Sequence, residues 1–190
     1  MVEQNRDPWV NVRTRHGLPA DEIISALQKE IRRSKTENAA LIAYEMATTS
    51  PELEMYLWKR LQVISVEDIG LGDPTAPVLI RSLFEMVRDL NRTDGERLLY
   101  AVAAVRYLCA CKKDRSNDEM INWVIREVES GGRLPVIPDY AIDMHTARGK
   151  AMGRGTRHFW EVGTILEPEL EDRDRTYRER VMKLLDEAGE

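Results

Sequence analysis

Residues Leu61–Pro77 read LQVISVEDIGLGDPTAP, and this stretch decides how the chain is built. An apolar run with helical spacing stops at an acidic pair, Glu67 and Asp68, and two glycines and an Asp-Pro follow before apolar sequence resumes. Two interpretations are open. The carboxylates are reactive groups held at a helix end, or the stretch is a rigid corner between two helices.

The geometry of the acidic pair favours the corner. Adjacent side chains on a helix point about 100° apart, so Glu67 and Asp68 do not converge on one substrate atom as the carboxylates of a glycosidase must. Acids near a helix C-terminus also oppose the helix dipole, so we expect an arginine or backbone amides to hold them.

The residues after the acidic pair suit a change of chain direction. Gly70 can take a left-handed conformation at the helix end, and Leu71 would pack back on the preceding helix. Asp73 is a good N-cap and Pro74 a good first-turn residue for the next helix. The predicted corner therefore consists of Glu67, Asp68, Gly70, Asp73 and Pro74.

Sequence on both sides of the corner predicts further helices and a compact all-α fold. Apolar residues recur at helical spacing in three rows, which are Ile24, Leu27 and Ile31, then Leu53, Leu57, Leu61 and Ile64, then Val78, Leu79, Leu83, Met86 and Leu90. Start signals precede several helices, namely Thr36, Ser50 with Pro51, Thr93 with Glu96, and Ser116 with Glu119. We expect an N-terminal arm at 1–19 and a helical core at 20–132. A Pro/Gly-containing loop, a basic segment and an acidic C-terminal helix at 133–190 would pack on the same domain.

Composition limits the class of protein. The chain has 190 residues, of which 43% are hydrophobic and 32% charged, and it contains no apolar run of the roughly 20 residues that a membrane span needs. No secretory signal begins the sequence, so a cytoplasmic protein is expected. With two cysteines spaced two apart and three histidines, neither a metal site nor a cofactor is predicted.

Three short stretches resemble the region that follows the ATPase core in the RarA/MgsA family of replication-associated AAA+ proteins. They are SALQKEIRRS at 25–34, NAAL at 38–41 and SVEDIGLGDP at 65–74, and LPVIP at 134–138 also matches. The resemblance covers residues 23–140. It implies a helical region similar to the collar of clamp loaders, which in this family supports homotetramer formation beside a motor that acts at stalled replication forks.

The resemblance does not bring ATPase activity. No G-x-x-x-x-G-K-S/T phosphate loop occurs in the chain, so it is not expected to be an enzyme on its own. The implied partners are a second copy of the chain, DNA or a replication protein, and an ATPase chain acting in trans. The last 50 residues depart from the family pattern.

A basic segment in that divergent region offers a second function. Between Met144 and Trp160 there are bases, histidines and glycines but no acid, and the candidate anion or nucleic-acid contacts are Arg148, Lys150, Arg154, Arg157 and His158. Phe159 and Trp160 offer faces on which bases stack. The alternative is a solvated loop whose cations pair with the acid-rich residues after it. An unrecognised enzyme that uses Glu67, Asp68 or His145 is the third hypothesis.

Overall fold

The computed structural model describes residues 8–189, and this part of the chain is helical, which confirms the predicted all-α class. Its strand-like pairing is limited to one antiparallel bridge between Arg13 and Pro19. The described residues divide into two compact units, one ending at Ser130 and one beginning at Gly131. That residues 133–190 pack on the helical core stays a prediction.

The first unit contains six helices among its described residues. They are α1 Ala20–Arg32, α2 Thr36–Thr49, α3 Pro51–Ile64, α4 Ala76–Arg88, α5 Glu96–Ala110 and α6 Ser116–Glu129. The second unit contains α7 Ala147–Ala151, α8 Thr156–His158 and α9 Thr176–Ala188. A π-helical turn follows α3 at Ser65–Ile69, and another follows α8 at Phe159–Gly163.

Helices α1 to α5 enclose the core of the first unit. The apolar rows predicted for α1 and α3 supply much of it, since Leu27, Ile31 and Leu57 are fully buried. Trp58 lies in the same core with its ring centroid 5.8 Å from that of Phe84. Burial of these side chains is the main stabilising term, at about 1.5–3 kcal/mol for each large apolar residue.

Described residues of the N-terminal arm contact helices α2 and α3 of the same chain. Trp9 packs on Tyr56 of α3 with ring centroids 5.1 Å apart. His16 contacts the buried Glu45 of α2, with Nδ1 2.6 Å from Oε2. Burial raises the pKa of Glu45, but hydrogen bonds from Thr14 and His16 outweigh it, so this pKa lies below its ordinary value. Residues 1–7 of the predicted arm lie outside the described residues.

One predicted N-cap is confirmed and the other predicted N-caps are wrong. The Ser50 side chain accepts a hydrogen bond from the amide of Leu53 at 3.1 Å, as an N-cap does. Helix α4 begins at Ala76, two residues after Pro74, so Asp73 is not its N-cap.

At α2, α5 and α6 the side chain of the N-cap residue accepts no hydrogen bond, and Thr36, Thr93 and Ser116 are not the caps of these helices. Before α6 an aspartate replaces the predicted cap, because Asp114 Oδ1 accepts from the amide of Ser116 at 2.8 Å. Local Asp turns of this kind compete with the capping box.

The corner after α3 is tighter than a left-handed cap. Gly70 has φ 51° and ψ −126°, a conformation that only glycine adopts readily. A Cβ on Gly70 would lie 2.5 Å from the carbonyl oxygen of Asp114, so backbone from the segment before α6 passes directly over it. Leu71 is 68% exposed, and the prediction that it packs back on α3 is wrong.

In the second unit, α9 differs in charge from the acidic helix predicted. It carries three acids and three bases, and the remaining acids after Trp160 lie mostly in the loop before it. The loop after α6 contains a 3-10 turn at Asp139–Ala141, and α7 follows it.

We expect Gly70→Ala to lower the free energy of unfolding by about 3 kcal/mol, because the new methyl group meets both backbone strain and a carbonyl oxygen. Gly17 is the matched control, since it has φ 80° but no atom within 4 Å of an added Cβ. Gly17→Ala should cost about 1 kcal/mol. Urea unfolding followed by circular dichroism measures both, and equal losses would contradict the close packing at the corner.

Candidate functional site

The Asp68 carboxylate is buried at the corner and is held by two arginines and a glutamine. Asp68 has no exposed surface. Its Oδ1 accepts from Arg32 Nε and, at 2.9 Å, from Arg115 Nη1, while Oδ2 accepts from Gln28 Nε2 at 2.8 Å. Helix α1, the π-helical turn and the residue before α6 therefore meet on one charged group.

Glu67 extends the same cluster toward solvent. Its Oε1 accepts from Arg115 Nη1 at 3.1 Å and lies 3.4 Å from Arg32 Nη2. Arg115 also pairs with Asp118 in the first turn of α6. The cluster is thus three carboxylates on two guanidinium groups, and we name it the acid cluster: Arg32, Glu67, Asp68, Arg115 and Asp118.

The arrangement of the acid cluster is poorly suited to acid-base catalysis. Both oxygens of Asp68 already accept hydrogen bonds and neither is exposed, so this group has no access to a substrate. Glu67 lies at the rim of a groove between α3 and α6 with a volume near 410 Å³. Val63, Val66 and Ile121 give the groove an almost wholly apolar lining, and the titratable residues that line it are Glu67 and Asp118.

Glu54 of α3 is a further buried carboxylate, and its role was not predicted from the sequence. It accepts from Arg97 Nε at 2.8 Å and from Arg92 Nη1 at 2.5 Å. Arg97 also donates to the carbonyl oxygens of Val87 and Leu90 at 2.7 and 2.9 Å, which satisfies the end of α4. The sequence carried a signal for its burial, because Glu54 stands three and seven residues before Leu57 and Leu61 and so shares their face of α3.

Asp73 and Tyr107 form a further polar contact. Tyr107 donates to Asp73 Oδ2 at 2.8 Å. Burial raises the pKa of Tyr107 to about 12. Hydrogen bonds from Thr75 and Tyr107 lower the pKa of Asp73. Asp73 thereby links the segment before α4 to α5, although it is not the N-cap of α4.

The basic segment does not present all of its predicted contacts to solvent. Arg154 is 14% exposed and forms two hydrogen bonds of 2.8 Å with the carboxylate of Asp139. Its other terminal nitrogen donates to the carbonyl oxygens of Asp139 and Ile142 at 2.8 and 2.6 Å. The bond from Arg154 holds the pKa of Asp139 below its usual range. Arg154 therefore ties the 3-10 turn to the residues after α7.

The remaining predicted contacts fall into two groups. Arg157 pairs with Glu161 at 3.1 Å and with Asp186 of α9 at 2.5 Å, and His158 is half-buried. Arg148 and Lys150 are exposed on α7, and neither forms an ion pair with a carboxylate among residues 8–189. The structure leaves these two cations accessible to an anion.

The side chains of His145, Phe159 and Trp160 pack against one another. His145 Nδ1 lies 3.2 Å from Asp143 Oδ2, and its ring meets Phe159 edge-on at 4.9 Å. Phe159 in turn meets Trp160 edge-on at 5.7 Å. No serine or cysteine is paired with His145 in the contacts of the described residues, as a nucleophile would be.

Comparison with known proteins gives a family match over most of the chain. The model described as MgsA AAA+ ATPase C terminal matches residues 34–163. The match continues past residue 140, the predicted limit of the resemblance, and includes the basic segment. The match begins at residue 34, the last residue of the stretch SALQKEIRRS that resembles the family.

The similar proteins are bacterial. Replication-associated recombination protein A of Bacillus subtilis is 29% identical over 155 residues, which are 80% of this chain and 36% of that protein. The proteins of the same name from Escherichia coli and Haemophilus influenzae are 30% and 27% identical over 142 residues, which are 72% of this chain and 30% of each. The chain spans about a third of the length of these relatives. No helix in the described part of the chain is long and apolar enough to cross a membrane.

We expect Asp68→Asn to lower the free energy of unfolding by about 3 kcal/mol, because it leaves two guanidinium groups around a buried neutral amide. Arg88→Gln is the control, since Arg88 is 58% exposed and pairs with Glu85 on the surface. That change should cost no more than about 0.5 kcal/mol. Thermal or urea unfolding gives both values. A stable Asp68→Asn protein that had lost an activity would instead favour a catalytic carboxylate.

Proposed function

The chain belongs to the MgsA AAA+ ATPase C-terminal family, and from this premise we propose that it is a non-catalytic oligomerisation and interaction module linked to DNA replication or recombinational repair. The observation that carries the proposal is the family match over residues 34–163. The chain spans only about a third of the length of its relatives. The part of the relatives that it matches is the C-terminal helical domain rather than the ATPase core.

The acid cluster supports a structural role for the corner on this proposal. Its ion pairs hold α1, the π-helical turn and the start of α6 together. Arg32 and Arg115 each pair with both Glu67 and Asp68. The corner residues Gly70, Asp73 and Pro74 then serve to redirect the chain. An enzyme that uses Glu67, Asp68 or His145 is the less favoured alternative.

The partners of the module follow from the family and are part of the proposal. A second copy of the chain is the first partner, with a homotetramer as the expected assembly. DNA or a replication protein is the second, and an ATPase chain acting in trans would supply the motor. The cytoplasm is the proposed location.

Nucleic-acid binding through residues 145–160 is a second candidate, favoured by the exposure of Arg148 and Lys150. The ion pairs of Arg154 and Arg157 reduce the number of cations available to nucleic acid, because both side chains pair with carboxylates of the second unit. Two exposed cations neutralise few phosphates, so binding would be weak and strongly dependent on salt.

We expect the purified chain to form a discrete oligomer, because the family match suggests an assembly module. Size-exclusion chromatography with light scattering over a range of concentrations gives the mass. A strict monomer at the highest concentration would overturn the oligomerisation proposal.

If the basic segment binds single-stranded DNA, Arg148→Glu with Lys150→Glu should abolish most binding. A plot of log affinity against log salt concentration has a negative slope, and its magnitude should decrease by about 1.4, because two phosphates are no longer neutralised. Arg180→Glu with Lys183→Glu on α9 is the matched control, with the same change of charge in the same unit. Fluorescence anisotropy at several salt concentrations measures both. Equal weakening by the two variants, or no binding at low salt, would remove this candidate.

A further inference from the structure

Three arginines of the second unit line one small cavity, which has a volume near 200 Å³. Arg173 and Arg175 come from the loop before α9, and Arg178 comes from the first turn of that helix. The one acid among the described residues that line the cavity is Glu169, from the same loop. The family match ends at residue 163, so it does not include this cavity.

The lining of the cavity is positive in spite of the acids nearby in the sequence. Arginines are always charged in proteins, and three of them face one carboxylate, so positive charges exceed negative ones by two. The hydrogen bond from Arg173 holds the pKa of Glu169 below its ordinary value, which keeps this carboxylate ionised at neutral pH. None of the other acids of the described loop lines the cavity, and these are Glu167, Glu171, Asp172 and Asp174.

Most N–H groups of the three arginines have no acceptor within the described residues. Each guanidinium group has five N–H donors. Arg173 donates from Nη1 to Glu169 Oε1, and Arg175 donates from Nη2 to Glu169 Oε2. Arg178 donates at 2.6 Å to Thr164 Oγ1 and, at the same distance, to a main-chain carbonyl of the π-helical turn. Arg178 is therefore held in place, and all three groups keep donors for a ligand.

A phosphate group matches this arrangement better than a carboxylate does. A carboxylate has two oxygens, and those of Glu169 reach two of the arginines. A phosphate group has three terminal oxygens and close to two negative charges, so it can accept from three guanidinium groups at once. The cavity is smaller than the ~300–1,000 Å³ of pockets that hold drug-sized molecules, so we expect a small ligand or the end of a larger one.

We propose that this cavity binds the phosphate group of a phosphomonoester, with Arg173, Arg175 and Arg178 as donors. Ile165 and Leu166 also line the cavity, and they would contact the uncharged part of the ligand. Such a group is present both at the end of a DNA strand and on small phosphorylated molecules. The inference goes beyond the proposed oligomerisation and does not depend on it.

Titration of the full chain with inorganic phosphate, followed by calorimetry at constant ionic strength, tests the site. Arg175 is 59% exposed and pairs with Glu169. Arg175→Gln should weaken phosphate binding at least about tenfold, because a charge-assisted hydrogen bond is lost. Arg180→Gln is the control with the same change of charge, since Arg180 lies over the ring of Tyr177 on α9 and does not line the cavity.

Glu169→Gln gives a test of opposite sign. This carboxylate competes with the ligand for Arg173 and Arg175, so its neutralisation should strengthen phosphate binding severalfold. Tighter binding by this variant, weaker binding by Arg175→Gln and unchanged binding by Arg180→Gln would support the site. No binding of phosphate by the unchanged protein, or equal weakening by the two arginine variants, would overturn it. Circular dichroism verifies folding, and if Glu169→Gln is unfolded the arginine variants decide.

Two oligonucleotides of one sequence, with and without a 5′-phosphate, distinguish the sources of the phosphate group. Tighter binding of the phosphorylated strand that disappears in Arg175→Gln would assign the site to a DNA end. Binding of inorganic phosphate without any difference between the strands would assign it to a small phosphorylated molecule. The mass of the unchanged protein is measured separately, so a monomer that binds phosphate would overturn oligomerisation and leave this inference standing.

Discussion

Burial of the Asp68 carboxylate is the constraint on which the first unit depends. An ionised carboxylate without water is costly by several kcal/mol unless charged and polar donors surround it. Here the donors come from α1 and from the residue before α6, far apart in the sequence. The carboxylate can be buried only when both segments are in place. Ordering of α1, of the corner and of the segment that leads into α6 is therefore one cooperative event.

Apolar spacing predicted the helices because packing, rather than local capping, stabilises most of them. The capping box failed at α6 because Asp114 already accepts a hydrogen bond from the amide of Ser116. Before α5, Asp94 accepts from the amide of Asn91, which lies ahead of the helix. Asp68 itself could have been predicted to be buried, since it continues the row Leu57, Leu61 and Ile64 at helical spacing. Its partners could not, because Arg32 and Arg115 come from segments whose approach depends on the whole fold.

The basic segment shows a different limit of sequence reasoning. A run of cations without acids predicted a charged surface, yet Arg154 lies against Asp139 and Arg157 against Asp186. Those carboxylates are 15 and 29 residues away along the chain. Local charge density therefore overstates accessible charge wherever a fold can bring opposite charges together. Arg148 and Lys150 keep the exposure that the sequence suggested, and they stay candidates.

The limits of the family match and the limits of the physical unit differ. The match begins at residue 34, after α1 has ended at Arg32. A fragment cut at that residue would lack Gln28 and Arg32 and would leave Asp68 with Arg115 alone. It would also open the hydrophobic interior where Leu27 and Ile31 had been. The bounds of the family match are thus narrower than the folding unit, and we expect autonomous folding to require the preceding helix as well.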